Sequence, residues 1–177
     1  MSTINISSLF AAGLTQALDQ PEVIVAEVAI SLLMMLQGRA AALRMAPALP
    51  AGLLAGIALA DAAAFDSLPV LLAATLLVAL LTALARLSPW WLPFGAITLA
   101  GIAVGHIAIA ENGFLIPPLT MLAGVVAGVT ALVGAVGLVG LAVHKVLPEH
   151  LASIAIRVAA SWCAAIVLML GAFMLTR

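Results

Sequence analysis

The sequence predicts an all-α integral membrane protein, a bundle of six transmembrane helices preceded by a short interfacial helix. Three observations support this class. Hydrophobic residues make up 66% of the 177-residue chain and charged residues only 7%, whereas a soluble domain carries about 25% charged residues. Apolar runs long enough to cross a bilayer recur along the chain. The few charged residues sort to opposite ends of those runs. We expect one membrane domain covering residues 1–177.

Residues 1–20 are predicted to form an interfacial helix rather than a secretory signal. They lack the basic n-region of a signal peptide, and no long apolar core follows. A helix over this stretch would place hydrophobic side chains on one face and Ser, Thr and Gln side chains elsewhere. It is expected to end near Asp19, because Pro21 suits the first turn of a following helix. The apolar face would consist of Ile4, Leu9, Phe10, Leu14 and Leu18.

Six spans follow, each close to the roughly 20 apolar residues that a transmembrane helix needs. Proline or tryptophan residues mark the start of four of them, at Pro47, Pro69, Trp90 and Pro117. The loops are short, so consecutive helices are expected to be antiparallel neighbours. The spans are predicted at about 21–38, 47–65, 68–86, 90–110, 117–144 and 149–175.

The distribution of charge predicts the orientation of the bundle. Basic residues stay on the cytoplasmic side of a membrane, and all of them except Arg177 lie at one end of the predicted spans. The acids lie at the other end, except for Glu149. Both termini are therefore expected on the outer, periplasmic side of a bacterial inner membrane. The net charge of −1 offers no electrostatic footprint for nucleic acid. The basic end holds Arg39, Arg44, Arg86, Lys145 and Arg157, and the acidic end holds Asp19, Glu22, Glu27, Asp61, Asp66 and Glu111.

Three hexads with GxxxG spacing predict close helix packing: AGLLAG at 51–56, AGIAVG at 100–105 and AGVVAG at 123–128. Small residues at this spacing let two helix backbones approach closely in lipid. The partner helix could belong to this chain or to another membrane subunit. The alternative is that glycine is simply common in membrane helices. The predicted packing residues are Gly52, Gly56, Gly101, Gly105, Gly124, Gly128, Gly134, Gly137 and Gly140.

Ionisable residues within the spans are the candidates for function, because burying them in lipid is expensive. Glu27 lies more than a turn inside the first span, and His106 lies about a turn inside the fourth. Carboxylates with an imidazole suit a divalent transition-metal ion. The alternative for the terminal acids is that they are solvated helix ends. The candidate metal ligands are Asp19, Glu27, His106 and Glu111, and the acidic funnel leading to them would be Glu22, Asp61 and Asp66.

His106 also permits a second interpretation, as an axial ligand to a haem or pigment. The small residues around it, Gly101, Gly105, Ala108 and Ala110, would leave clearance for a flat macrocycle. A single histidine with no second signal gives this interpretation little weight. No nucleophile–base pair, phosphate-binding loop or Cys/His cluster is visible in the sequence, so no enzymatic activity is expected.

Four segments follow the motifs of one group of small bacterial membrane proteins. GLTQALDQ at 13–20 aligns with a His-x5-Asp-His motif through Asp19, and GRA at 38–40 follows the first span. VGHIAIAE at 104–111 aligns with a His-Gly-x-Ala-His-Gly-x-Glu motif through Gly105 and Glu111, and RVAASWCAAI at 157–166 is similar to the last helix. Over about residues 13–175 the chain thus resembles the HupE/UreJ family, which accompanies hydrogenase and urease systems. The resemblance implies a nickel-permease-like fold.

The chain departs from that family at its motif histidines, whose positions are occupied here by Gly13, Gln20, Val104 and Ala108. His106 stands at a variable position of the motif. The resemblance therefore implies an inherited fold with a largely dismantled metal site. We expect a non-catalytic accessory subunit of a larger membrane complex, packed through its Gly/Ala-rich helix faces. The alternatives are a divalent metal-cation permease of the nickel or cobalt type with a rebuilt outward-facing site, and a pigment-, haem- or lipid-binding membrane protein.

Overall fold

The computed structural model describes residues 6–60, 66–84, 89–110 and 119–176. Within these stretches all regular secondary structure is α-helical, so the predicted all-α class is confirmed for the described residues. The helices are α1 (Ile6–Asp19), α2 (Pro21–Gln37), α3 (Arg39–Met45), α4 (Ala48–Leu59), α5 (Ser67–Ala83), α6 (Trp91–Ala110), α7 (Leu119–Val146) and α8 (Glu149–Leu175).

In the described part of the chain, four helical stretches are long and apolar enough to cross a membrane: Ala40–Leu59, Trp91–Ile109, Leu119–Val146 and Glu149–Leu175. The first of these joins α3 and α4, so it begins before the predicted span at 47–65. Two further helices, α2 and α5, have 17 residues each and are about 26 Å long. This is a few ångströms less than the ~30 Å hydrocarbon core of a bilayer.

Helix α2 ends before Gly38, and α3 begins at Arg39. Gly38 has φ +79°, in the left-handed region that residues with a Cβ atom rarely adopt. Its amide donates to the carbonyl oxygen of Met35 at 3.3 Å, which satisfies one of the open carbonyls at the end of α2. Glycine adopts this conformation without steric cost, so it separates α2 from α3.

Helices α4 and α6 form a close pair through their glycines. A methyl group at Gly52 would overlap the carbonyl oxygen of Thr98, and one at Gly56 would overlap that of Ile102. From the other side, a methyl group at Gly101 would lie 3.1 Å from the Cα atom of Gly52, and one at Gly105 would overlap the carbonyl oxygen of Leu53. Residue numbers rise together along both helices, so α4 and α6 are parallel. The first two hexads therefore pack against each other within this chain.

Helix α1, the predicted interfacial helix, packs against α7. A methyl group at Gly13 would overlap the carbonyl oxygen of Met121, and one at Gly124 would overlap that of Phe10. The crossing point thus lies where each helix presents a glycine, because the missing side chains let the two backbones touch. The third hexad is consequently used inside the chain as well.

The remaining predicted packing glycines all lie on α7 and differ in their surroundings. Gly128 is buried. A methyl group at Gly140 would meet the thioether of Met35 on α2. At Gly134 and Gly137 nothing described lies within 4 Å of an added methyl group. The C-terminal half of α7 therefore leaves part of its glycine face open.

Helix α2 lies at the centre and packs against α5, α7 and α8, while α5 also packs against α8. The starts of α2 and α5 meet the end of α8 around a common groove. At the opposite end, the Arg157 side chain on α8 donates from Nε to the carbonyl oxygen of Ala83, at 2.9 Å. Ser31 and Met35 of α2 approach Val133 and Gly140 of α7 in the same order. Hence α2, α5 and α7 run in one direction and α8 runs in the other.

Candidate functional site

Among the described residues, Glu27 is the ionisable side chain that the fold buries most completely. It lies in the second turn of α2 and is 1% exposed. Neither of its carboxylate oxygens has a hydrogen-bond partner among the described residues. An isolated charge in a dry interior costs several kcal/mol, so buried carboxylates normally have a partner. Glu27 lacks this usual compensation and is therefore the leading candidate for a functional group.

The position of Glu27 follows from how α2 begins. Gln20 is the N-cap residue in an extended conformation, and Pro21 occupies the first turn, where a missing amide hydrogen is tolerated. Glu27 then falls among Val23, Ala26 and Ile30, which are buried with it in the core. The apolar residues that hold α2 in the centre of the bundle thus carry the carboxyl group in with them.

Three buried hydroxyl groups on α2 and α5 are satisfied by their own helices. Ser31 donates from Oγ to the backbone carbonyl of Glu27 at 2.7 Å, and that Oγ also lies 3.3 Å from the carbonyl oxygen of Val133 on α7. On α5, Thr75 and Thr82 donate to carbonyl groups four residues earlier, at 2.7 and 2.8 Å. This back-bonding is the usual solution for hydroxyl groups in membrane helices. A carboxylate has no hydrogen to donate in this way, which explains why Glu27 differs from its polar neighbours.

His106 is buried near the C-terminal end of α6, at 7% exposure. Two of the small residues that were expected to leave clearance for a macrocycle, Gly101 and Gly105, face α4 instead. The backbone of α4 at Leu53 fills the space beside Gly105. The structure therefore uses these glycines for helix packing and leaves no flat slot at them for a haem.

Apart from Glu27, the described acids of the predicted ligand set and funnel lie at helix ends. Asp19 is exposed at the end of α1, and Glu22 is half-buried at the start of α2. Asp66 is exposed and caps α5, because its side chain accepts a hydrogen bond from the backbone amide of Leu68 at 3.3 Å. Asp61 and Glu111 lie outside the described residues. In the part of the chain that the structure describes, no group of three or more His, Cys, Asp or Glu side chains is arranged to hold a metal ion.

Two features of the site region escaped the sequence analysis. Ser31 stands one helical turn after Glu27, a spacing visible in the sequence, and it bonds to the backbone of that residue. No comparable sequence pattern predicts the groove lined by Glu22, because its lining residues come from α2, α5 and α8, which are distant in the chain. Only the packing of these three helices brings those residues together.

Comparison with family models, with curated proteins and with solved structures finds no match for this chain.

Proposed function

We propose that this chain is a small membrane transport protein and that the Glu27 carboxylate binds the transported cation. The observation that carries the proposal is a carboxylate at 1% exposure with neither oxygen hydrogen-bonded among the described residues. Ionisable groups inside membrane bundles are rare, and those that occur commonly mark ion pathways and proton relays. A cation that occupies the site during transport would compensate the buried charge.

The proposed topology has six spans with both termini on the periplasmic side of a bacterial inner membrane. The helix directions support it, because α2, α5 and α7 run one way and α8 runs the other, as alternating spans require. Glu22 and the end of α8 then lie on the outer side, and Arg157 and the end of α5 lie on the cytoplasmic side. This placement agrees with the cytoplasmic preference of basic residues.

A negatively charged carboxylate such as that of Glu27 would bind a cation. The transported cation could be a divalent metal ion or a proton. The resemblance to the HupE/UreJ family favours a divalent ion of the nickel type, which prefers sites that include imidazole. A single carboxylate is sufficient to bind a proton. Both ions are therefore tested in the same preparation.

The experiment is uptake into proteoliposomes that contain the full chain, with an entrapped metal indicator in one set and a pH indicator in another. The variant Glu27→Gln keeps the size of the side chain and removes its charge. Glu149→Gln is the matched control, because Glu149 is an exposed acid in the first turn of α8. We expect Glu27→Gln to fall to the rate of protein-free vesicles for the transported ion and Glu149→Gln to match the unaltered protein. Transport by Glu27→Gln at the unaltered rate would refute the proposal.

A second candidate is the accessory subunit, and one observation favours it. The glycine face of α7 is open at Gly134 and Gly137, beside the exposed side chains of Leu138 and Leu141. A partner helix could approach closely there. If the chain is an accessory subunit, protein extracted mildly from its native membrane will elute in a particle much larger than a 17.9 kDa chain in detergent. The double variant Gly134→Leu, Gly137→Leu will then elute separately from that particle. Elution of the unaltered protein as a monomer contradicts this role.

A further inference from the structure

A groove of about 300 Å³ opens where α2 and α5 begin and α8 ends. Five of its six lining side chains are apolar, and the exposed ring of Phe173 is one of them. One charged side chain, Glu22, lines the groove and is half-buried there. The lining consists of Glu22, Leu68, Leu72, Leu170, Phe173 and Met174.

The surroundings of the groove are acidic. Asp66 caps α5 two residues before Leu68, which lines the groove, and Asp19 is exposed three residues before Glu22. The described basic side chains lie towards the other end of the bundle, where Arg157 contacts Ala83 at the end of α5. The groove therefore combines apolar side chains with one carboxylate, and two further acids lie near its lining residues in the chain.

We propose that this groove holds a phospholipid whose headgroup carries a primary ammonium. The acyl chain would lie against the leucine side chains and Phe173, and the ammonium would donate hydrogen bonds to the Glu22 carboxylate. Charge complementarity selects this occupant, because Glu22, the charged side chain that lines the groove, would repel a headgroup that carries only negative charge. A quaternary choline headgroup is positively charged but has no N–H to donate, so it forms no hydrogen bond to the carboxylate.

The lipid site can be tested separately from the proposed transport. Glu22 lies five residues before Glu27, and the residues that line the groove do not include Glu27. Lipid selectivity can therefore be measured whether or not the protein moves an ion. The two proposals fail separately, because one depends on Glu22 and the other on Glu27.

The test is native mass spectrometry of the full-length protein, stripped of lipid in detergent and then supplied with equal amounts of ethanolamine, choline and glycerol phospholipids with the same acyl chains. We expect one ethanolamine lipid to be retained in preference to the other two. Glu22→Gln should weaken that retention about tenfold, since the acceptor of the ammonium's hydrogen bonds loses its negative charge. Glu149→Gln, at the other end of the bundle, should leave it unchanged.

A second variant, Phe173→Ala, tests the contact with the lipid acyl chain separately from the contact with the headgroup. It removes an exposed ring and should weaken retention of all three lipids alike. Equal retention of the three lipids by the unaltered protein would overturn the proposal, and so would a Glu22→Gln variant that retains the ethanolamine lipid as strongly as the unaltered protein does. If Phe173→Ala retains the lipids as well as the unaltered protein does, the acyl chain does not lie in this groove. A dimer mass that depends on Phe173 and excludes lipid would identify a second copy of the chain as the occupant instead.

Discussion

The contact between α4 and α6 can be tested by adding one methyl group at Gly105. That methyl group would overlap the carbonyl oxygen of Leu53 and lie 3.2 Å from the amide nitrogen of Ile57. Both are backbone atoms, so α4 and α6 must move apart as whole helices. Overpacking of this kind costs about 1–3 kcal/mol.

The matched control is Gly95→Ala on the same helix, where nothing described lies within 4 Å of the added methyl group. Alanine stabilises a helix by about 1 kcal/mol relative to glycine, and both variants share that gain. The difference between them therefore isolates the contact with α4, at about 1–3 kcal/mol. Comparing two variants of one helix also removes any general effect of the detergent.

The assay is thermal unfolding of both purified variants in the same detergent, followed by circular dichroism. For a chain of this size, 1 kcal/mol shifts the melting temperature by about 2–4 °C. Gly105→Ala should therefore melt about 2–12 °C below Gly95→Ala. Equal melting temperatures would show that α4 and α6 do not make this backbone contact, and the packing of the first two hexads would have to be reassigned.

Three further predictions concern other parts of the bundle. Asp66→Ala removes the side chain that accepts from the amide of Leu68 and should lower the free energy of unfolding by about 1 kcal/mol, whereas Asp66→Asn should restore it. Arg157→Ala removes the hydrogen bond from α8 to the carbonyl oxygen of Ala83. Because the Arg157 side chain is exposed, the free energy of unfolding should fall by no more than about 1 kcal/mol. A larger loss would contradict the exposed position of Arg157. The Cys163 thiol is buried, so a maleimide reagent should label it only after unfolding in denaturing detergent, and rapid labelling of the folded protein would contradict the position of α8.

Composition and hydrophobic run length were sufficient to predict an all-α chain with helices long enough to cross a membrane. The glycine hexads also indicated where close contacts would occur. They did not indicate which helices would pair, since the GxxxG spacing at Gly52, Gly101 and Gly124 is the same. The pairing depends on the whole bundle, in which α4 meets α6 and α1 meets α7.

For the candidate site, the sequence could predict burial but not contacts between helices. Depth in an apolar run was enough to predict that Glu27 is buried, because its burial depends on its own helix. A ligand set depends on several helices at once, and among the described residues Asp19 is exposed at the end of α1 and His106 is buried in α6. Contacts between distant segments have no periodicity that a single sequence displays.

The contact between Ser31 and Val133 joins residues that are 102 positions apart in the chain. A ribosome adds about 5–20 residues per second, so α2 leaves it roughly 5–20 s before the part of α7 that it touches. During synthesis, the side of α2 that will meet α7 therefore faces lipid or the insertion machinery. The helix at the centre of the finished bundle is made early and enclosed late, when α7 and α8 arrive.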